Sequence, residues 1–141
     1  EASTASSTWA VQMFDVAFRG GVLLARAERE AQRARGRFIE TIFLGGGTPS
    51  LFRPAEIGRL LDGAARHLPI ARDAEVTMEV NPGTVECGSP AGYRAAGVNR
   101  LSVGAQSFDD SSLQEIGRIH GSDDIRRTVS DAVAAGFDNI N

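Results

Sequence analysis

The stretch FLGGGTPSLF at residues 43–52 places three glycines directly behind an apolar run. The residues that lead into it, FIETIFL (38–44), are rich in β-branched and aromatic side chains, a composition typical of a buried strand. Glycine weakens regular structure, but it accepts positive φ angles and lets a ligand approach the backbone closely. The stretch therefore predicts a strand that ends in a ligand-binding loop. A turn that uses glycine for its geometry alone remains the alternative.

Predicted strands and helices alternate from residue 38 onward. The strands are expected at residues 38–44, 74–80, 99–105 and 137–141. Helices are expected to begin at Pro54, Ser89 and Ser122, and Gly97 and Gly136 are placed just past the ends of the second and third helices. Because strands joined by helices form right-handed βαβ units, this order predicts an α/β fold with a parallel sheet.

The chain is expected to be truncated at both ends, because it begins partway through a strand–helix unit and stops inside a strand. We interpret residues 1–37 as a loose N-terminal segment followed by one long helix over 14–37, and residues 38–141 as part of the α/β core. No strand is expected before that helix. An open four-stranded sheet leaves its edges unpaired, so we expect marginal stability in isolation.

The composition excludes several function classes. A net charge of −3 over 141 residues gives no support for nucleic-acid binding, and no apolar run is long enough for a membrane span. The single cysteine, Cys87, excludes an internal disulfide and is consistent with a cytoplasmic location. All 15 basic residues are arginine, so the sequence holds no Schiff-base or P-loop lysine.

Each of the first three predicted strands ends in polar residues and glycines. The first ends in Gly45-Gly46-Gly47-Thr48, the second in Glu79 and Asn81-Pro82-Gly83, and the third in Gly104-Ala105-Gln106-Ser107. The carboxyl ends of parallel strands share one edge, which is where ligands bind in barrels and in open sheets. We therefore expect these groups to converge at one site, called the rim below.

Five motifs resemble a known family in their order and approximate spacing. GGGTPSL, EVNPGT, AGVNRLSVGAQSFDD, IGRIH and AAGFDNIN are similar to segments of the radical S-adenosylmethionine (SAM) proteins of the oxygen-independent coproporphyrinogen III oxidase group. The NPGT, QSF and GRIH variants resemble the haem-chaperone branch more than the oxidase branch. The resemblance implies that residues 38–141 are part of a parallel (β/α) barrel of the radical SAM type, which four strands cannot close.

The resemblance also implies contacts with SAM from Gly46, Gly47, Thr48, Glu79, Gln106 and Arg118. The glycines and the threonine would lie against the methionine end of SAM. Glu79 would accept hydrogen bonds from ribose hydroxyls or from the ammonium group. A guanidinium such as that of Arg118 suits a carboxylate.

Three of these residues also have a simpler explanation. Glu79 could be a solvated carboxylate, and Gln106 could satisfy neighbouring backbone groups. Arg118 could form a surface ion pair. The two histidines are not expected to be ligands, because His120 has no second metal-binding residue nearby and His67 suits the end of a helix.

The resemblance further implies a [4Fe–4S] cluster, which the family holds with a CxxxCxxC motif on the loop after the first barrel strand. Clusters of this kind need several cysteine thiolates, and this sequence has only Cys87, which we interpret as an incidental thiol. We expect the motif to belong to a missing upstream segment. The chain as it stands is therefore expected not to cleave SAM.

The implied function is that of a radical SAM protein in haem metabolism, most similar to the haem chaperones that deliver haem to an acceptor protein. The alternative enzyme is a coproporphyrinogen III oxidase, which decarboxylates porphyrinogen propionates oxidatively. A third possibility, from another class, is a radical-free α/β enzyme whose glycine-rich rim binds phosphate. The expected small-molecule partners are thus SAM together with haem or a porphyrinogen.

Overall fold

The computed structural model describes residues 8–12, 38–83 and 88–141. The helix predicted over residues 14–37 lies outside these ranges, and so does Cys87. The division of the chain into residues 1–37 and 38–141 stays a prediction.

The described strands form one four-stranded sheet in the order β1-β2-β3-β4, with every pair parallel. The strands are β1 (Thr8–Gln12), β2 (Ile39–Gly45), β3 (Ile70–Val80) and β4 (Arg100–Val103). The helices are α1 (Pro54–His67), α2 (Pro90–Ala95), α3 (Asp110–Glu115) and α4 (Ser122–Ala134), and a 3₁₀ turn spans Pro49–Leu51. The prediction of an α/β fold with a parallel sheet is confirmed.

Strand β1 corrects the interpretation of the N-terminal residues. We expected a loose segment and no strand before residue 38, yet Thr8–Gln12 pairs in parallel with β2, Thr8 opposite Thr41 and Gln12 opposite Gly45. Its sequence, TWAVQ, combines β-branched and aromatic residues that suit a strand. The small polar residues in front of it obscured this short segment in the sequence.

The third predicted strand, 99–105, is shorter at both ends. At its start the Asn99 side chain takes the place of backbone hydrogen bonds to β3. Its Oδ1 accepts from Val76 N at 2.7 Å, and its Nδ2 donates to Ala74 O at 2.8 Å. At its end the backbone turns away from the sheet, with Ala105 N bonded to Val103 O and Ser107 N to Ala105 O. The segment predicted as a fourth strand contributes one bridge, between Ile140 and Leu101.

The two faces of the sheet differ in polarity. Alternate residues on one face pack with the helices into an apolar core that includes Leu44, Met78 and Leu101 with Ile57 of α1 and Tyr93 of α2. The opposite face carries the intervening side chains of each strand, which are mostly polar: Thr41, Glu75, Thr77, Glu79, Arg100 and Ser102. Because unpaired polar groups are costly to bury, this polar face is better suited to contact a ligand than to pack into an apolar interior.

Helix ends follow the sequence signals with one exception. Ser89 caps α2 by accepting from Gly92 N at 3.2 Å, and Gly97 and Gly136 adopt positive φ past the ends of α2 and α4. Ser122, predicted to be a cap, is instead the first residue of α4, and Gly121 precedes it. Its backbone N–H donates to Asp110 Oδ1 at 2.7 Å, which ties the starts of α3 and α4 together.

Within the described ranges, no helix has both the length and the apolar character that crossing a membrane requires.

Candidate functional site

The glycine loop and Glu79 meet directly at the rim. Gly46 N–H donates to Glu79 Oε2 at 3.2 Å, across a gap of 33 residues in sequence. The neighbouring pair Leu44 and Met78 is in register, so β2 and β3 bring the two residues to the same level. Glu79 is half-buried and bonded to the backbone, and is therefore not simply a solvated carboxylate.

Gly45 makes this arrangement possible. A Cβ at this position would overlap the Phe43 ring and would lie 2.9 Å from Glu79 Oε2. Only a residue without a side chain leaves room for the carboxylate to lie over the backbone. The sequence indicated a glycine-rich loop but did not indicate that its first glycine serves Glu79.

Gly47 is the open part of the loop. It is exposed, it has a φ of 120°, and a Cβ placed on it would meet no atom of the described residues within 4 Å. Gly46 also has a positive φ, of 84°. Glycine accepts such angles without steric strain, and the open space leaves the backbone accessible to a ligand.

Thr48 ends the loop and is linked to Asn81 beyond β3. Asn81 Nδ2 donates to Thr48 Oγ1 at 3.4 Å, and Asn81 Oδ1 lies 2.7 Å from where a Cβ of Gly104 would be. Asn81 was noted in the sequence only as part of the rim and not as a candidate contact. The signal for it was the NPG sequence directly after a buried strand.

The turn after Thr48 is held by a buried tyrosine. The hydroxyl of Tyr93, which is 2% exposed, lies 2.7 Å from Ser50 O and 2.9 Å from Phe52 O. Its single proton can be shared between these two carbonyls, one within the 3₁₀ turn and one directly after it. This link from α2 to the glycine loop was not apparent from the sequence, because more than 40 residues separate its ends.

Gln106 lies on the same side of the rim in an unusual conformation. Its φ of 65° makes it a non-glycine residue in the left-handed region, and its Nε2 is 3.6 Å from the position of a Cβ on Gly104. Its exposed carboxamide makes no hydrogen bond with any residue that the structure describes. The alternative in which Gln106 satisfies backbone groups is therefore not supported. Strained backbone of this kind clusters at functional sites.

Arg118 lies in the loop between α3 and α4. This loop is anchored by His120, which is 4% exposed and whose Nε2 donates to Ala105 O at 3.3 Å. His120 also packs against Gly83, where a Cβ would lie 2.8 Å from its own Cβ. His120 therefore has a structural role in this loop. The half-buried Arg118 guanidinium forms no ion pair or hydrogen bond in the described part of the chain, so a surface ion pair does not explain it.

An ion pair lies on the same sheet face, further back along the strands. Arg100 donates to Glu75 Oε1 at 2.8 Å, Thr77 Oγ1 donates to the same oxygen at 3.1 Å, and Asn139 donates to Glu75 Oε2 at 3.3 Å. The hydrogen bond from Arg100 holds the pKa of Glu75 below its ordinary value of 4.5. Glu75 stays ionised and bound, which leaves Glu79 as the carboxylate of this face that lies at the rim.

The structure thus brings five of the six predicted residues to one edge of the sheet. Gly46 and Glu79 are in direct contact, and Thr48 is linked through Asn81 and Gly104 to the neighbourhood of Gln106. Gly47 is adjacent in the loop. Arg118 lies two residues before His120, whose ring bonds the carbonyl of Ala105 next to Gln106, and it forms no hydrogen bond or ion pair with the other five. Their roles as cofactor contacts stay predictions.

The residues present fit one of the two implied cofactors. SAM needs acceptors and donors next to an accessible backbone, and the rim has a carboxylate, a carboxamide, a hydroxyl and the open Gly47. A [4Fe–4S] cluster does not fit. Among the described residues no group of three metal-binding side chains occurs, and the whole sequence holds one cysteine. The residues between β1 and β2 contain none, so the first strand seen here is not followed by CxxxCxxC.

Comparison with known proteins identifies relatives across most of the chain. The sequence model of the radical SAM superfamily matches residues 21–141. Heme chaperone HemW of Escherichia coli (strain K12) is 46% identical over 119 residues, which cover 84% of this chain and 32% of that protein. HemW of Haemophilus influenzae is 40% identical over 119 residues, which cover 84% and 31%. The chain therefore spans about a third of the length of these relatives.

A solved structure supports the same assignment. Coproporphyrinogen III oxidase (HemN) from Escherichia coli, described as a radical SAM enzyme, superposes with a TM-score of 0.68 at 30% identity, covering 87% of this chain and 29% of that one. The similarity confirms a partial parallel barrel of this type. The matches also confirm the resemblance seen in the sequence, and they do not support the phosphate-binding alternative from another class.

Proposed function

The chain belongs to the radical SAM superfamily, and on that premise we propose that its rim binds SAM as part of a haem-handling protein of the chaperone type. The observation that carries the proposal is the contact between Gly46 N–H and Glu79 Oε2, which holds a carboxylate beside the open Gly47. A carboxylate there can bind the positively charged or hydroxyl-bearing parts of SAM. SAM supplies, when bound, a sulfonium centre activated for transfer of the groups attached to it.

In this proposal each rim residue binds or orients one part of SAM. The backbone at Gly47 lets the amino-acid end approach closely, and Thr48 faces that end. Glu79 accepts from the ammonium group or from ribose hydroxyls, while Gln106 offers a carboxamide with no other hydrogen bond among the described residues. Arg118 pairs with the ligand carboxylate, which a planar guanidinium can bind through two hydrogen bonds.

The haem-chaperone function is favoured over the oxidase function by the relatives. The two HemW proteins are 46% and 40% identical to this chain, whereas the HemN structure is 30% identical. Haem as the cargo, a protein acceptor and a cytoplasmic location are all parts of the proposal for the whole protein. No step of radical chemistry is assigned to this chain, since its single cysteine cannot supply the thiolates of a cluster.

Isothermal titration calorimetry tests the SAM site. We expect SAM to bind the chain at least about tenfold more tightly than inorganic phosphate does, and Glu79→Gln to weaken SAM binding by about tenfold through loss of charged hydrogen bonds. Glu115→Gln, an exposed carboxylate at the end of α3, is the matched control and should leave the affinity unchanged. Tighter binding of phosphate, or equal effects of the two substitutions, would contradict the proposal.

Absorbance spectroscopy tests haem binding by this segment. Addition of the chain is expected to shift the Soret band of haem in a saturable manner. The oxidase alternative is tested on the whole protein with its cluster in place, where decarboxylation of coproporphyrinogen III would favour the oxidase. Absence of any saturable haem spectrum would argue against haem binding by this segment.

A further inference from the structure

Asn81 lies between two loops of the rim and contacts both. Its Nδ2 donates to Thr48 Oγ1 at 3.4 Å, and its Oδ1 occupies the space that a side chain at Gly104 would need, 2.7 Å from the Cβ position. The residue is half-buried. With Oδ1 on the Gly104 side, the carboxamide presents its N–H₂ group to the threonine.

This hydrogen bond sets the direction in which the Thr48 hydroxyl can donate. A hydroxyl has one proton and two acceptor lone pairs. Because Thr48 Oγ1 accepts from Asn81, its own proton is left for another acceptor. Thr48 does not cap the 3₁₀ turn with its side chain, and it makes no other side-chain hydrogen bond with the described residues. The hydroxyl is therefore a donor placed next to the exposed Gly47.

We propose that Asn81 determines ligand specificity by committing the Thr48 hydroxyl to donate to a ligand carboxylate. An aspartate at position 81 has nearly the same shape, but it would accept the Thr48 proton and would place a negative charge near an anionic ligand group. Asn81 thus favours nucleosides that carry an amino-acid end over nucleosides that lack one. The inference rests on the proposed function, because it takes the amino-acid end of SAM to lie against Thr48.

Three ligands distinguish this role from a purely structural one. SAM and S-adenosylhomocysteine both carry the carboxylate, and the second lacks the sulfonium charge. 5′-Methylthioadenosine keeps the nucleoside and has no carboxylate. Calorimetric dissociation constants are measured for all three ligands with the unmodified chain and with Asn81→Asp and Asn81→Ala.

Asn81→Asp is expected to weaken binding of SAM and of S-adenosylhomocysteine by about tenfold or more, as expected for loss of a hydrogen bond to a charged group. Binding of 5′-methylthioadenosine should change by less than about twofold, which also shows that the variant is folded. Asn81→Ala, which adds no charge, should give the same selective loss with a smaller magnitude. In a Thr48→Val background Asn81→Ala should have almost no effect, because the hydroxyl that it orients is gone.

The outcomes separate the two proposals. If the unmodified chain binds none of the three ligands, the proposed SAM site itself is wrong. If it binds SAM but both Asn81 variants weaken 5′-methylthioadenosine as much as SAM, Asn81 only supports the fold and the specificity role is overturned. Unchanged affinity for all three ligands in both variants overturns it equally.

Discussion

Two glycine-to-alanine substitutions should have opposite effects, because the structure gives the added methyl group different neighbours. At Gly45 the new Cβ would overlap the Phe43 ring and lie 2.9 Å from Glu79 Oε2. At Gly58, inside α1, it would lie 3.7 Å from the Cβ of Ala96, an ordinary van der Waals distance. The chemical change is the same at both positions.

The magnitudes follow from these contacts. Forcing a methyl group into a filled space typically destabilises a protein by about 1–3 kcal/mol, and we expect Gly45→Ala at the upper end because relief requires Glu79 to leave Gly46 N–H. Gly58→Ala should stabilise by about 0.5–1 kcal/mol, since alanine has less backbone freedom to lose in a helix. The two variants should therefore differ by about 2–4 kcal/mol in the free energy of unfolding.

Urea denaturation followed by circular dichroism measures the difference, and calorimetry with SAM reports on the rim. Gly45→Ala should also weaken SAM binding by about tenfold, because it displaces the carboxylate proposed to bind it. Gly58→Ala should bind SAM like the unmodified chain. If Gly45→Ala were as stable as Gly58→Ala and bound SAM equally well, the packing described for Glu79 over Gly45 would be wrong.

Two further substitutions test the supports of the rim. Tyr93→Phe removes only the hydroxyl that bonds the Ser50 and Phe52 carbonyls at the 3₁₀ turn. In urea denaturation we expect the free energy of unfolding to fall by about 1–2 kcal/mol. An unchanged value would show that the contact contributes nothing to stability. Glu75→Gln tests the pH dependence of stability. The pKa of Glu75 is lowered in the folded chain, mainly by its hydrogen bond with Arg100. The ion pair therefore stabilises the folded chain above the ordinary pKa of 4.5, and this stabilisation is lost as the pH falls below that value. Denaturation measured down to about pH 3 should show a shallower acid decline for the variant, and identical declines would contradict this.

From residue 38 onward, the sequence was sufficient to predict most of the strands and helices and the convergence at the rim. Apolar runs such as FIETIFL and AEVTMEV are local signals, and a parallel sheet places the ends of such strands at one edge by geometry alone. The same reasoning predicts that Gly46, Glu79 and Gln106 lie at one edge of the sheet. It did not identify β1, because a five-residue strand behind small polar residues gives little periodicity.

What the sequence could not predict are contacts that depend on distance through space. Position 45 needs glycine because the Glu79 carboxylate, 34 positions later, lies over it. The 3₁₀ turn is stabilised by a hydrogen bond from Tyr93, which lies on α2. The role proposed for Asn81 depends on Thr48 and Gly104, which lie on either side of it in space. The strand register decides such pairings, and no local pattern encodes it.

The central claim is that one rim, built from the ends of β2, β3 and β4, binds SAM. Titration of ¹⁵N-labelled chain with SAM, followed by amide chemical shifts, tests it most directly. We predict that the amides of Gly47, Glu79, Gln106 and Arg118 shift together with a single dissociation constant, while that of His67 at the far end of α1 does not move. Shifts that are absent, or that cluster away from these four residues, would contradict the account.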